Sequence, residues 1–153
     1  MISIANDPQY FTYLADCPAK KEIVAGDARL AIEREISSGN LSHFDLLALD
    51  AFSGDAPPVH LLTTEAFRLY TRELAPNGIL AVNITNTYVD LRPVVLAAAA
   101  QLSLNAAFVH DEGDGKATLY SDWMLLSRRD IPQIINSSPP TKNDIPRVLW
   151  TDD

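Results

Sequence analysis

Two apolar runs that each end in an aspartate limit the possible folds more than any other feature of the sequence. The first extends from Glu22 to Asp27 and the second from Phe44 to Asp50. Strands that are apolar throughout are buried on both faces, as in a parallel sheet covered by helices. Ligands of such sheets bind at the carboxyl ends of the strands. The two carboxylates therefore predict a single site for a polar, cationic ligand.

Composition narrows the class of protein. The chain has 153 residues, 47% of them hydrophobic, which fits one domain with a sizeable core. No run approaches the roughly 18 apolar residues of a membrane helix, and no signal-peptide pattern is present, so we expect a cytoplasmic protein without membrane contact. The net charge of −8 argues against nucleic acid as a partner. Cys17 is a lone cysteine and the histidines are scattered, so we predict no metal site.

The order of the remaining patterns predicts a doubly wound α/β fold. Strand and helix patterns alternate up to residue 110, and a turn at Gly113–Gly115 then leads into a last strand. We expect a mostly parallel, Rossmann-like sheet with an antiparallel C-terminal hairpin strand at one edge, formed by residues 1–128, and an irregular tail at 129–153. The predicted strands cover 22–25, 44–49, 79–84, 106–110 and 117–127, and the predicted helices cover 28–36, 63–74 and 90–102, after a broken helix within 2–14.

Four segments carry a resemblance to a known family. They are Gly26–Leu30, Asp50–Thr63, Leu74–Asn86 and Leu149–Asp153. Together they resemble the spermidine synthase-like (polyamine aminopropyltransferase-like) family, whose Rossmann-type domain is related to the methyltransferases. The similarity spans nearly the whole chain, and the block Asp50–Thr63 is its most specific part.

The resemblance implies roles for individual residues. Asp27 matches the acid that accepts a hydrogen bond from the adenine amino group of S-adenosylmethionine or its decarboxylated form. Gly26 and Ala28 flank it in the cofactor site, and Ala28 donates from its backbone. Asp50 matches the catalytic carboxylate, which also lies against this co-substrate. Two simpler interpretations stay open, because Asp27 could be a plain helix N-cap and Asp50 a loop cap.

The acceptor side departs from the family pattern. Members that make polyamines carry a second carboxylate three residues after the catalytic one, and here that position is Ser53. Asp55 lies two residues further on, so we expect Ser53 and Asp55 to line the site for a small-molecule amine. Of the nearby polar residues, His60 is expected to pack or hydrogen-bond within its loop. Asn83 and Asn86 end the third predicted strand, where they could face the site or form strand-end hydrogen bonds.

The Gly-rich turn and the ribose-binding acid of related folds have no counterpart between Met1 and the first predicted strand. We therefore expect a partial catalytic domain that is incomplete or weakly active by itself. Two alternatives stay open, an S-adenosylmethionine-dependent methyltransferase and a non-catalytic nucleotide-sensing or interaction module. An unpaired sheet edge invites association, so we also expect a homodimer.

Overall fold

The computed structural model describes residues 2–52, 57–116, 118–131 and 148–153. None of the helices in these ranges is long and apolar enough to cross a membrane. The helices are α1 (Ile2–Ala5), α2 (Tyr13–Asp16), α3 (Ala28–Ser37), α4 (Thr64–Glu73) and α5 (Arg92–Gln101), with a 3₁₀ turn at Val59–Leu61. The strands are β1 (Phe44–Leu49), β2 (Leu74–Asn83), β3 (Asn105–Asp111) and β4 (Ser121–Ser127).

The strands form one mixed sheet in the order β1-β2-β4-β3. β1 and β2 are parallel, whereas β4 is antiparallel to both of its neighbours, β2 and β3. β1, β2 and β3 therefore share one direction, and their carboxyl ends lie along one edge of the sheet. This arrangement confirms the α/β prediction of a mostly parallel sheet with an antiparallel hairpin strand.

The position of the hairpin strand was predicted wrongly. We expected it at an edge of the sheet, but β4 lies inside, and β3 forms the edge instead. Met124 and Leu126 of β4 are 0% exposed, whereas both ends of β3 are exposed. The more apolar strand of the hairpin thus takes the position where strands cover it on both sides. β4 also begins at Ser121, later than predicted.

The first predicted strand, residues 22–25, is also wrong. This segment has no strand structure, and Ile23 and Val24 are 48% and 57% exposed. Backbone groups of a strand need a neighbouring strand as hydrogen-bond partner. Within the described residues, β1 has a neighbouring strand only on its β2 side. Residues 22–25 therefore do not belong to the sheet.

The pairing of β1 with β2 contains an irregularity. Phe44 pairs with Leu74 and Leu46 pairs with Ile79, so extra residues of β2 bulge between two regular pairings. Residues 76–78 lie inside β2. A Cβ added to Gly78 would stand 2.5 Å from the Phe44 carbonyl oxygen. Only glycine allows the two backbones to approach this closely.

Helix α4 covers the centre of the sheet. Thr63 caps it by accepting a hydrogen bond from the Ala66 N–H, and its apolar side places Phe67 and Tyr70 in the core. The buried Tyr70 hydroxyl donates to the Leu61 carbonyl at 3.1 Å, so it stays satisfied within that core. The helix thereby holds the polypeptide between β1 and β2 in place.

Candidate functional site

Asp27 lies at the N-terminus of α3. Its Oδ1 accepts a hydrogen bond from the Leu30 N–H at 3.0 Å, and its Oδ2 lies 2.9 Å from Nε2 of His60. The Leu30 bond foremost, and then the His60 bond, lower the pKa of Asp27. Asp27 is therefore a helix cap and a member of a polar pair at once, although it does not end a strand as expected. The His60 side chain was expected to pack or hydrogen-bond within its own loop, and it bonds to Asp27 at the start of α3 instead.

Arg29, the second residue of α3, connects three segments that are distant in sequence. Its Nη1 donates to the His60 carbonyl at 2.8 Å and to Thr63 Oγ1 at 3.2 Å. The same guanidinium forms a two-pronged ion pair with the carboxylate of Asp152 near the chain end. Its side chain is only 13% exposed. Arg29 thus fastens the start of α3, the loop before α4 and the tail together.

The ion pair between Arg29 and Asp152 was not predicted from the sequence. The hydrogen bond from Arg29 lowers the pKa of Asp152 to about 2. The same bond raises the pKa of Arg29. Both residues lie in segments that carry the family resemblance, and 123 positions separate them, so no local spacing could reveal their contact.

Asp50 follows the last residue of β1 and meets the end of β2. The side-chain amide of Asn83 donates to Asp50 Oδ1 at 2.8 Å. Asn83 Oδ1 in turn accepts from the Thr85 N–H at 2.9 Å, which fixes the amide so that its nitrogen faces the carboxylate. Asn83 therefore forms strand-end hydrogen bonds, one of them to Asp50, and its role in a ligand site stays a prediction.

The structure groups some of the predicted site residues and leaves others apart. Gly26 precedes the cap with a φ of +130°, and Ala28 is the first residue of α3, so both flank Asp27 as expected. Asp27 bonds to His60, in the loop that begins at Asp50, whereas Asp50 bonds to Asn83. The predicted substrate residues Ser53 and Asp55 lie outside the described residues. The separation of Asp27 and Asp50 within one ligand's reach stays a prediction.

A pocket of about 430 Å³ opens at the same sheet edge, beyond Asn83. Its lining comes from the segment after β2, the start of α5, the end of β3 and the start of β4. Thr85 links it to the Asp50 pair, because its Oγ1 accepts a hydrogen bond from the Asp122 N–H at 2.9 Å. Lining residues include Ile84, Asp90, Arg92, Phe108, His110 and Asp122. This pocket was not predicted from the sequence.

No group of three or more His, Cys, Asp or Glu side chains is placed to hold a metal ion in the part of the chain that the structure describes. The polar groups at the sheet edge are carboxylates, amides and hydroxyls bound to one another. Such groups recognise organic ligands through hydrogen bonds and charge.

The comparisons with known proteins come from solved structures. Neither a protein-family model nor a curated protein sequence matches the chain. A probable spermidine synthase from Corynebacterium glutamicum is similar with a TM-score of 0.53 and 26% identity, over 72% of this chain and 39% of that one. A spermidine synthase from Thermotoga maritima is similar with a TM-score of 0.54 and 16% identity, over 94% of this chain and 47% of that one.

The fold is therefore spermidine synthase-like. The chain spans less than half the length of either of these proteins. The similarity agrees with the family resemblance of the sequence.

Proposed function

We propose that this chain contributes the adenine end and the catalytic carboxylate of a spermidine synthase-like transferase that uses a sulfonium nucleoside. The observation that carries the proposal is the hydrogen bond between Asp50 and Asn83, which follow or end two neighbouring parallel strands in a spermidine synthase-like fold. Ligands of open α/β sheets bind at such strand ends. The bond also orients one carboxylate oxygen of Asp50, as a catalytic group requires.

The residues at the start of α3 fit the adenine end of S-adenosylmethionine or its decarboxylated form. The Asp27 carboxylate is about one-third exposed, and each of its oxygens has two acceptor positions. It can accept a bond from an adenine amino group while it keeps Leu30 and His60. The first N–H groups of a helix have no partner within the helix, so the backbone of Ala28 can donate to an adenine ring nitrogen.

The bound sulfonium would supply an electrophilic carbon, with a neutral thioether as leaving group. Asp50 would accept a hydrogen bond from the acceptor amine, orient its lone pair towards that carbon and take the proton released when the new N–C bond forms. Its negative charge would also favour the cationic reactants at the sheet edge. Asn83 would keep Asp50 in the orientation that this role needs.

The acceptor in this proposal is a small-molecule amine, held in part by Ser53 and Asp55. We expect weak binding by the chain alone, since no glycine-rich turn is present to approach the rest of the nucleoside. Each absent polar contact costs about 0.5–1.5 kcal/mol, so three or four of them weaken binding by roughly one to four decades.

The test uses titrations of the chain, followed by NMR, with methylthioadenosine, S-adenosylmethionine and decarboxylated S-adenosylmethionine up to millimolar concentration. We expect shifts of the Asp27, Ala28 and Arg29 amides with a Kd weaker than about 10 μM. Asp27→Asn should weaken binding about tenfold, because asparagine still caps the helix but lacks the second carboxylate oxygen. Asp45→Asn, on the exposed face of β1, is the matched control.

Transfer is tested separately from binding. With either sulfonium compound and a mixture of diamines, Asp50→Asn should leave nucleoside binding intact and abolish formation of any methylthioadenosine or S-adenosylhomocysteine that the chain produces. Formation of S-adenosylhomocysteine alone would favour the methyltransferase. Nucleoside binding without turnover by the native sequence would favour the sensing module. Absence of any Asp27-dependent binding at millimolar concentration would refute the proposal.

A further inference from the structure

The pocket beyond Asn83 contains two pre-formed pairs of opposite charge. Arg92 donates from Nε and Nη2 to the two carboxylate oxygens of Asp90, at 2.8 and 2.7 Å. His110 Nδ1 lies 2.5 Å from Asp122 Oδ1. All four side chains line the pocket, and between about one-quarter and one-half of each is exposed. A ligand that enters the pocket therefore meets both signs of charge.

The floor between these pairs is apolar. Ile84 is only 4% exposed, and the Phe108 ring lies under the Arg92 guanidinium at 5.4 Å from its centroid. Phe108 also stacks on the His110 ring, with an angle of 24° between the planes. These contacts hold the Arg92 and His110 side chains against apolar groups, which an alkyl chain can contact.

The balance of charge indicates the chemical class of the ligand. A purely cationic ligand would approach Asp90 and Asp122 but would bring its charge against Arg92. A purely anionic ligand would meet the two carboxylates in the same way. A molecule with an ammonium and a carboxylate can place each of its charged groups against an opposite charge of one pair. The hydrogen bond to Asp122 raises the pKa of His110, which favours the charged form of the second pair.

We propose that this pocket binds a zwitterionic amine, an amino acid with a short alkyl chain, whose carboxylate lies on Arg92 and whose ammonium lies on Asp122. Thr85 and Asn83 connect Asp122 to Asp50 by successive hydrogen bonds, so a second amine on the alkyl chain would extend towards Asp50. The proposal that this ligand binds depends only on the residues that line the pocket. Its role as the acceptor site rests on the proposed function.

The test compares two probes that differ by one carboxylate. Ornithine carries this group and 1,4-diaminobutane lacks it, while the diamine has the higher positive charge. We expect ornithine to bind about tenfold more tightly in NMR titrations that follow the His110 and Arg92 signals, because a charge-assisted bond to the guanidinium is added. Pentanoate, which has the carboxylate without an amine, should bind more weakly than ornithine.

Arg92→Gln should remove the preference for ornithine and leave the affinity for the diamine unchanged or higher. Asp122→Asn should weaken both amines. Arg68→Gln, which removes an exposed arginine of α4 that pairs with Glu65, is the control and should change neither. Tighter binding of the diamine by the native sequence, or a preference for ornithine that survives Arg92→Gln, would overturn the proposal.

These outcomes are independent of nucleoside binding. Ornithine binding that depends on Arg92 would support the pocket even if Asp27→Asn had no effect on methylthioadenosine. Conversely, nucleoside binding at Asp27 with no binding of any amino acid at the pocket would refute this inference and leave the proposed function in place.

Discussion

Two apolar segments of the chain differ in structure. Ile23–Val24 lies outside the sheet, and Leu80–Val82 is part of β2. Ile23 and Val24 are about half exposed and belong to no strand, whereas Leu80 and Val82 are 0% exposed at the centre of the sheet. β2 has strands on both sides, and helix α4 covers it. Apolar β-branched residues therefore indicate that a segment can be a strand. Neighbouring strands decide whether it becomes one.

The largest expected effect tests this difference with one chemical change at two positions. Val82→Ala removes two buried methyl groups from the centre of the sheet and should lower the free energy of unfolding by about 2–3 kcal/mol. Val24→Ala removes the same atoms from an exposed segment and should change it by no more than about 0.5 kcal/mol. Urea denaturation followed by circular dichroism measures both.

A loss of more than about 1 kcal/mol from Val24→Ala would contradict the comparison, since it would mean that the segment 22–25 is buried in solution. Association of two copies through this segment is one way to obtain that result. Repeating the measurement at two protein concentrations distinguishes association from burial within one chain.

The next largest effect is expected at Gly78, where the backbones of β1 and β2 lie close together. Gly78→Ala should destabilise the protein by about 1–3 kcal/mol, because its Cβ would collide with the Phe44 carbonyl. The control is Gly115→Ala in the exposed hairpin turn. There the added Cβ meets no atom within 4 Å, and the cost is only the strain of a positive φ, about 1 kcal/mol. Equal losses at both positions would mean that β1 moves away and relieves the collision.

The sequence predicted the fold class because alternating helix and strand patterns allow few arrangements. It failed where position depends on neighbours. The pattern of 117–127 indicates a strand in a hairpin, but it does not tell whether β3 or β4 faces β2. That choice follows from which strand is more apolar on both faces once helix α5 packs against the pair. The segment 22–25 failed for the related reason that a strand pattern needs a partner.

The site was predicted in part for similar reasons. Asp27 and Asp50 were selected as candidates because each ends an apolar run in the sequence. Asp50 does follow a strand. The Asn83 contact could be anticipated from its place at a strand end. The pairing of Arg29 with Asp152 could not, because it joins segments that only the folded chain brings together. The pocket likewise depends on the ends of three strands meeting at one edge.

The Arg29–Asp152 pair gives a smaller effect that depends on pH. The pKa of Asp152 is about 2 in the folded chain and about 3.9 when unfolded, so its contribution to stability is present above pH 4 and is lost as the pH falls towards 2. Urea midpoints should differ between the native sequence and Asp152→Asn at pH 6, and this difference should shrink as the pH falls to 3. Asp153→Asn keeps the ion pair and should follow the native curve. A constant difference at every pH would assign the effect to packing.

The smallest expected effect lies at the exposed end of the β3–β4 hairpin. The hydrogen bond that His110 donates to Asp122, with the charges of Asp122, Glu112 and Asp111, raises the pKa of His110 above 6.5. Because the folded pKa is raised, the contribution of this pair to stability is present below pH 6.5 and is lost as the pH rises through the folded value. An NMR titration of the His110 ring should give a pKa that falls most in Asp122→Asn, less in Glu112→Gln, and not at all in Asp45→Asn on β1 at the opposite edge of the sheet. If Glu112→Gln lowered the pKa as much as Asp122→Asn, the general negative charge of the hairpin end, and not a specific bond, would hold the proton on His110. In that case the exposed end of the hairpin would lack the fixed pairing that the buried centre of the sheet has.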